Sequence, residues 1–346
     1  MQQRERKKKY MKLFLWSRRS IALAVLLSLT WFVVSGIQNT RAIQKLKSNK
    51  HFMLKDDPSW LMSRLPVSWQ TWIQYSAGDG IRASFHNVTW ISSVGYGDDY
   101  EFTEADLAAI AQLKSLKILD FSSSLITDSD MSYFQGLYNL EALILERTSI
   151  GDAGLYHLRD LRKLKVLRLW ETDVTDVGLS YLKDLTELTY LNLSETKISD
   201  AGLIHLKGML NLQTLYLDAT QVSDRGLIYL KELPKLETLD LLDAEVTDAG
   251  LVHLSECRNL KKLTLADTQI SDQGLVYLGK LKELHELDIR YTNTSDAGLV
   301  HLQGLKSLAY LNWESTKITD AGYTRLHEFL PKLSRTQQFP TIIFKE

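Results

Sequence analysis

The sequence predicts an α/β solenoid, in which short parallel strands alternate with short helices and identical units stack in one direction. Three observations predict it. From Leu113 onward the chain repeats every 24 residues without one insertion or deletion, and a fixed period of this size marks a stacked repeat architecture. Within each unit a two-residue apolar alternation gives way to a three-residue one, so strand periodicity is followed by helical periodicity. Finally, 45% of residues are hydrophobic and 24% charged, a balance that supports a packed core and not a disordered chain.

The leading position of the repeat reads Leu113, Leu137, Leu161, Leu185, Met209, Leu233, Cys257, Leu281 and Leu305, and nine units cover residues 113–328. Written out, a unit is L-x-x-L-x-x-L-x-L-x-x-T-x-I-[ST]-D-x-G-L-x-x-L-x-x. In "EALILER", Leu143 and Leu145 alternate with Ala142, Ile144 and Glu146, which predicts a strand with one face buried. In "DAGLYHLRDL", Leu155, Leu158 and Leu161 fall at three-residue steps and predict a helical return. No unit can bury its leucines alone, so stacking makes one continuous core.

The L-x-x-L-x-L-x-x core resembles the leucine-rich repeat family over about 60% of the chain, the span 113–328. The resemblance implies a horseshoe with parallel strands on its concave face and short helices on its convex face. Where many such repeats carry Asn, this chain has Thr148, Thr172, Thr196, Thr220, Thr268, Thr292 and Thr316, with Ser124 and Ala244 as departures. A threonine hydroxyl can bond loop backbone much as Asn does, with fewer groups. The T-x-I-[ST]-D-x-G-L version looks like the repeats of F-box leucine-rich proteins and of membrane-anchored bacterial repeat proteins. No F-box stands in the N-terminal region, so the bacterial envelope type is the closer likeness.

Residues 56–112 are expected to form an N-terminal cap with a degenerate first repeat. "DDPSWLMSRLPVSWQTWIQY" reads as helical, "FHNVTWISSVGY" as a strand, and "FTEADLAAIAQL" as the helical half of a repeat capped by Thr103. At the other end, residues 329–346 carry Pro331 and Pro340, which break the repeat and predict a C-terminal cap.

Residues 1–20 hold eight Lys or Arg against the single acid Glu5, although the whole chain has a formal net charge of -1. Directly after this basic tail, Ile21 to Ile37 is an uncharged apolar run of seventeen residues. At about 1.5 Å rise per residue it approaches the ~30 Å hydrocarbon thickness of a bilayer. It is too long for a usual signal-peptide core, so an uncleaved signal anchor is the better reading. The twenty residues after it hold five positive charges against eight before it, which favours a cytoplasmic N-terminus. A single-pass membrane protein is therefore expected, with residues 38–55 as linker and the repeats outside the cytoplasm. Cys257 is the single cysteine, so no intramolecular disulfide can form; a bacterial envelope is the simplest such setting.

The stretch "DAGLIHL" raises the question of chemistry, because Asp and His are the raw material of general-base pairs and metal sites. The Asp column is complete: Asp128, Asp152, Asp176, Asp200, Asp224, Asp248, Asp272, Asp296 and Asp320. Catalysis needs one acid in a special environment and not nine in equivalent ones. Each Asp opens a helical half, usually after Ser or Thr, and is read as a helix cap. The neighbouring column alternates Tyr133, His157, Tyr181, His205, Tyr229, His253, Tyr277 and His301 before ending at Arg325. Equivalent His side chains two repeats apart are too far separated to share a metal, and Asp200 and His205 lie about 500° apart around a helix. No metal, cofactor or catalytic residue is expected, and the protein is read as not an enzyme.

Binding is instead expected on the concave face, through solvent-facing strand positions. These include Arg168, Trp170, Tyr190, Asn192, Tyr216, Asp218, Asp240, Asp288, Arg290, Tyr310, Asn312 and Glu314. Trp, Tyr and Arg are enriched at the centres of protein contacts. The three outward positions of all nine strands hold seven acids and three bases, which argues against nucleic acid, whose phosphates require a basic surface. The expected partner is an unidentified protein or a glycan. The second reading is a cytoplasmic substrate-selecting adaptor, as the F-box likeness implies.

Overall fold

A computed structural model describes residues 41–42, 45, 53–58, 86–92 and 102–335. They fall into two compact units, the first containing residues up to Ile91 together with 104–116, the second 92–103 and 117 onward. The first unit holds strand β1 (Met53–Pro58), most of strand β2 (His86–Ser92) and the helix Glu104–Gln112. β2 falls inside the segment expected as a strand. β1 corrects one expectation, since its last three residues open the segment read as helical. It ends at Pro58, which has no N–H to continue a ladder. The helix buries Leu107 and Ile110 three residues apart, the apolar spacing of "ADLAAIAQL".

The second unit is built on ten parallel strands, β3 (Ile118–Asp120) through β12 (Ser334–Arg335), each paired with the next in sequence order. The register is the 24-residue period itself: Leu119 faces Leu143, Leu143 faces Leu167, and Leu167 faces Leu191. The strands between are β4 (Ala142–Ile144), β5 (Val166–Arg168), β6 (Tyr190–Asn192), β7 (Thr214–Tyr216), β8 (Thr238–Asp240), β9 (Lys262–Thr264), β10 (Glu286–Asp288) and β11 (Tyr310–Asn312). The strand leucines are buried, as are the helix-side columns such as Leu155, Leu158 and Leu161. The return segments are short α-helices such as Asp176–Leu182 and Asp248–Leu254, or 3-10 turns such as Gly226–Glu232 and Gly298–Leu302. Leucines three apart line up on one side of a helix with three residues per turn, so both forms fill the same core.

Each strand ends in a reversal that the sequence does not announce with glycine. Ser123, Arg147, Glu171, Glu195, Ala219, Asp243, Asp267, Tyr291 and Ser315 all adopt φ between 50 and 56°, the left-handed region that costs a side-chain-bearing residue about 1–2 kcal/mol. The next residue is the threonine column, whose hydroxyl closes the turn. Thr148 Oγ1 donates to the Leu145 carbonyl at 2.6 Å and Thr172 Oγ1 to that of Leu169 at 2.7 Å, and the pattern continues to Thr316 and Trp313. Ser124 makes the same bond to Phe121 at 2.7 Å. Ala244 cannot, and the Leu241 carbonyl there accepts only the Ala244 amide, at 3.2 Å.

The Asp column requires a correction. The helix caps are the preceding residues: Thr175, Ser199, Thr247 and Ser271 accept from the amides of Val177, Ala201, Ala249 and Gln273. The Asp that follows is already the first helical residue, and its carboxylate reaches forward into the next repeat. Asp152 accepts from Thr175 N (2.8 Å), Thr175 Oγ1 (2.7 Å) and Gly178 N (2.9 Å). Asp176, Asp200, Asp224, Asp248, Asp272 and Asp296 grip the backbone and hydroxyl of Ser199, Ser223, Thr247, Ser271, Ser295 and Thr319 in the same way. Asp128 holds Gly151 N at 2.7 Å, and Asp320 opens the final helix. The physical reason is distance: at the first helical position the carboxylate lies beside the neighbouring repeat's cap, whose amide and hydroxyl need acceptors.

The glycine column follows from that grip. A Cβ on Gly178 would lie 2.5 Å from Asp152 Oδ1 and 3.1 Å from a methyl of Leu155. The recurring spacing of Asp and Gly, 26 residues apart, is therefore one contact and not two habits of the chain.

The ends of the core in this unit are aromatic. Where the repeat places Leu145 or Leu169, the first strand has Phe121, packed edge-on against Phe102 (4.6 Å) and tilted against Phe134 (5.3 Å). At the same position the last repeat has Trp313, stacked on Tyr323 at 4.5 Å, whose hydroxyl donates to the Leu333 carbonyl. The last helix runs from Asp320 to Phe329, ahead of Pro331. Ser334 and Arg335 then pair with Tyr310 and Leu311, so the region expected as a cap adds one more parallel strand. Among the described residues no helix is long and apolar enough to cross a membrane, and the apolar segment Ile21–Ile37 lies outside them.

Candidate protein-binding face

The strand residues flanking each buried leucine point to the opposite face, and there the expected residues meet in two clusters. The first is aromatic and spans β5 to β7. Arg168 faces Tyr190 obliquely, its guanidinium carbon 5.4 Å from the ring centre and Nη2 3.4 Å from the hydroxyl. Nε of Arg168 lies 3.2 Å from a Glu146 carboxylate oxygen on β4's flank. Tyr190 packs at 5.6 Å against Tyr216, whose hydroxyl is pushed up in pKa mainly by burial, with Tyr190 adding to it. Beside them Trp170 donates its indole N–H to Glu195 at 3.1 Å. The result is a pair of packed tyrosines beside Arg168 and a separately held indole, all half-buried.

The second cluster is acidic and spans β7 to β8. Ser194 donates to Asp218 through a short bond, and Asp218 is raised in pKa by burial. Asp240 is pushed up to about 7, chiefly by burial and further by Asp218 and Asp288, while the Leu242 amide it accepts at 3.0 Å opposes the shift. Glu146 is likewise raised by burial, with Arg168 opposing.

Not every expected residue is available to a partner. Asp288 and Asn312 are buried, 1% and 4% exposed, which corrects their reading as solvent-facing. Both are short polar chains folded back onto backbone two residues ahead. Asp288 accepts from Arg290 N (3.1 Å) and from Nε at 2.9 and 3.0 Å, so the arginine side chain covers it. Asn312 accepts from Glu314 N at 3.4 Å. Asn192 makes the same bond to Ser194 N at 2.9 Å and is half-buried. Tyr310 and Glu314 are exposed at the C-terminal end of the face, apart from the aromatic cluster.

Two residues of the face, Glu146 and Glu195, lie outside the set expected to bind. Glu146 continues the outward alternation just past β4. Glu195 sits in the left-handed column just past the strand, where alternation no longer applies. No group of three or more His, Cys, Asp or Glu that could hold a metal occurs among the described residues.

Two family models, both described as leucine-rich repeat, match residues 162–222 and 256–279. Among solved structures, a leucine-rich repeat protein of Leptospira interrogans is 22% identical with a TM-score of 0.52, covering 66% of this chain. This chain in turn spans 62% of that protein's length. An internalin C2 from Listeria monocytogenes is 29% identical over 63% of this chain and 84% of its own, with a TM-score of 0.49. No curated protein matches. The Leptospira protein shares the fold, and the 24-residue units within residues 162–222 and 256–279 match the leucine-rich repeat models.

Proposed function

We propose that this chain is a membrane-anchored, non-catalytic binding protein that receives a partner protein on its strand face. Leucine-rich repeat proteins generally act in protein binding, and the aromatic cluster Trp170, Tyr190 and Tyr216 beside Arg168 is the observation that carries the reading. The repeat requires buried leucines but places no demand on its outward columns, so rings gathered there, with Trp170 held by Glu195 and Tyr190 beside the Arg168 that Glu146 pairs, serve something other than the core. Rigid aromatic rings offer large contact area with few torsions to freeze, the property that makes Tyr and Trp dominate contact energies. The apolar run Ile21–Ile37 and the basic residues before it support anchoring, with the repeats outside the cytoplasm.

Two experiments test the two halves of the reading. In-cell crosslinking followed by capture compares the wild type with the triple variant Trp170→Ala, Tyr216→Ala, Arg290→Ala. Loss of the crosslinked partner is expected, and an unchanged partner refutes the site. A reporter fused to the C-terminus should signal an extracytoplasmic location; a cytoplasmic signal favours the adaptor reading instead.

A further inference from the structure

The opposite side of the repeats carries a second surface of a different kind. From Asp152 to Asp296 the residue four positions after each Asp reads Tyr156, Ser180, Ile204, Ile228, Val252, Val276 and Val300. All but Ser180 are exposed. On one side of this column runs the alternating His and Tyr column from His157 to His301, and on the other the exposed column that begins at Ala153. These three columns over seven repeats make twenty-one positions, of which Arg225 alone carries a fixed charge. The helix side of a solenoid needs no apolar residues outward, and water favours charges there. Five consecutive β-branched side chains in register, Ile204 to Val300, form an apolar stripe where a soluble surface would be mixed.

Charge at the edge of the stripe indicates what covers it. Arg159, Lys183, Lys207 and Lys231 form a row of exposed cations, two residues beyond the His/Tyr column. Taking this row with the three columns, five cations and no acid occur. Arg159 lies 4.0 Å over the Tyr156 ring and Lys207 5.2 Å over Tyr229, so cations and amphipathic rings share one border. Asp160, Asp184, Glu232 and Glu256 follow one residue further on, which keeps the positive edge narrow and leaves the apolar contact as the larger part. Apolar residues flanked by Tyr and Lys are the composition of a surface lying in a lipid headgroup region.

We propose that the helix side between Tyr156 and Val300 rests on an anionic bilayer surface, leaving the strand face free for its partner. This rests on the anchored reading of the chain, since residues 21–37 would hold the repeats beside the bilayer and raise the local concentration of so small a patch. The lysine row adds attraction to anionic headgroups that weakens with salt.

The test uses the full chain reconstituted into vesicles of phosphatidylcholine with phosphatidylglycerol. Spin labels are placed at Val252→Cys or Val276→Cys on the stripe, and at Glu314→Cys on the strand face as control. Cys257 is buried and its thiol is pushed up to about 12 by that burial, so the introduced thiol takes the label. Stripe labels are expected to collide severalfold more with oxygen, relative to a water-soluble nickel chelate, than the control label does. The double variant Ile204→Ser, Ile228→Ser should abolish that difference without changing the unfolding transition. Replacing phosphatidylglycerol, or introducing Lys183→Glu with Lys207→Glu, should weaken it.

Vesicles that float with the chain while stripe and control labels are equally wet overturn the docking and leave the anchor standing. A chain that does not float with the vesicles overturns both. Label–label broadening that rises with protein density, without oxygen contact, assigns the stripe to a second copy and overturns the lipid surface.

Discussion

The forward grip of the aspartate column makes a prediction that separates it from ordinary helix capping. Asp200 Oδ1 accepts from Ser223 N and Oδ2 from Ser223 Oγ, both at 2.7 Å, while Ser199 caps the helix that Asp200 opens. Asp200→Ala removes two hydrogen bonds to an ionised acceptor at a half-buried position and strands the Ser223 amide. A bond of this kind contributes about 1.5–3 kcal/mol when well buried. Partial exposure lets water replace some of it, so a loss of about 2–3 kcal/mol is expected. A cap or dipole role alone would give about 1 kcal/mol.

The sharper measurement is a pair of double-mutant cycles in urea unfolding followed by circular dichroism. Asp200→Ala with Ser223→Ala should show a coupling of about 1 kcal/mol, because both residues of one bond are removed. Asp200→Ala with Ser199→Ala should be additive within about 0.5 kcal/mol, although these two are chain neighbours. Equal m-values across the set keep the comparison valid, since repeat arrays can lose cooperativity. A larger coupling with Ser199 than with Ser223 refutes the inter-repeat grip.

Three further outcomes follow from the same structure. Ala244→Thr restores the missing hydroxyl to the Leu241 carbonyl and should stabilise by about 1 kcal/mol in denaturant unfolding; no gain means the hydroxyl column does not hold the turn. Ala219, at φ 50°, should gain up to about 1 kcal/mol as Ala219→Gly and lose stability as Ala219→Val, because glycine alone is at ease in the left-handed region. Asp240, raised to about 7 by burial, binds its proton more tightly folded than unfolded, so its contribution falls as pH rises from about 4 to 7. Asp240→Asn should therefore raise the unfolding midpoint at pH 8 and leave it nearly unchanged at pH 4; an equal effect at both pH values would place the cause in packing and not in charge.

The core was legible because burial imposes a period, and the leucine columns state that period outright. The aspartates were legible as structural but not in their role. A carboxylate after Ser or Thr matches a helix start locally, whichever repeat it bonds, and local pattern cannot distinguish the two. The pairing of Asp152 with Gly178 holds the missing signal, because a residue without a side chain at a fixed distance marks a close approach. The strand face was partly legible for a related reason. Alternation says which way Asp288 and Asn312 set out, but not that a short side chain turns back onto the amide two residues on. Glu195 was illegible because it stands where the left-handed turn ends the alternation.

The two faces differ in their electrostatics. On the strand face every cation is matched within the face: Arg168 with Glu146, Lys262 with Glu286 at 2.8 Å, and Arg290 with Asp288. None is left over to neutralise a phosphate, so the seven-to-three excess of acids understates how poorly this surface would suit nucleic acid. Asp218 and Asp240 keep their charge or proton without an ion pair in the structure, held by Ser194 and the Leu242 amide. From β5 to β8 the strand face therefore presents a neutralised aromatic half and then an acidic half. The partner proposed for this face has to satisfy both, through apolar contact at Trp170 and Tyr216 and through donors to Asp218 and Asp240. The helix side offers the opposite arrangement, an uncharged stripe with a row of cations along one edge and Arg225 alone on the other. Since the buried, turn and grip columns are fixed by stacking, these outward columns are where the repeats are free to differ.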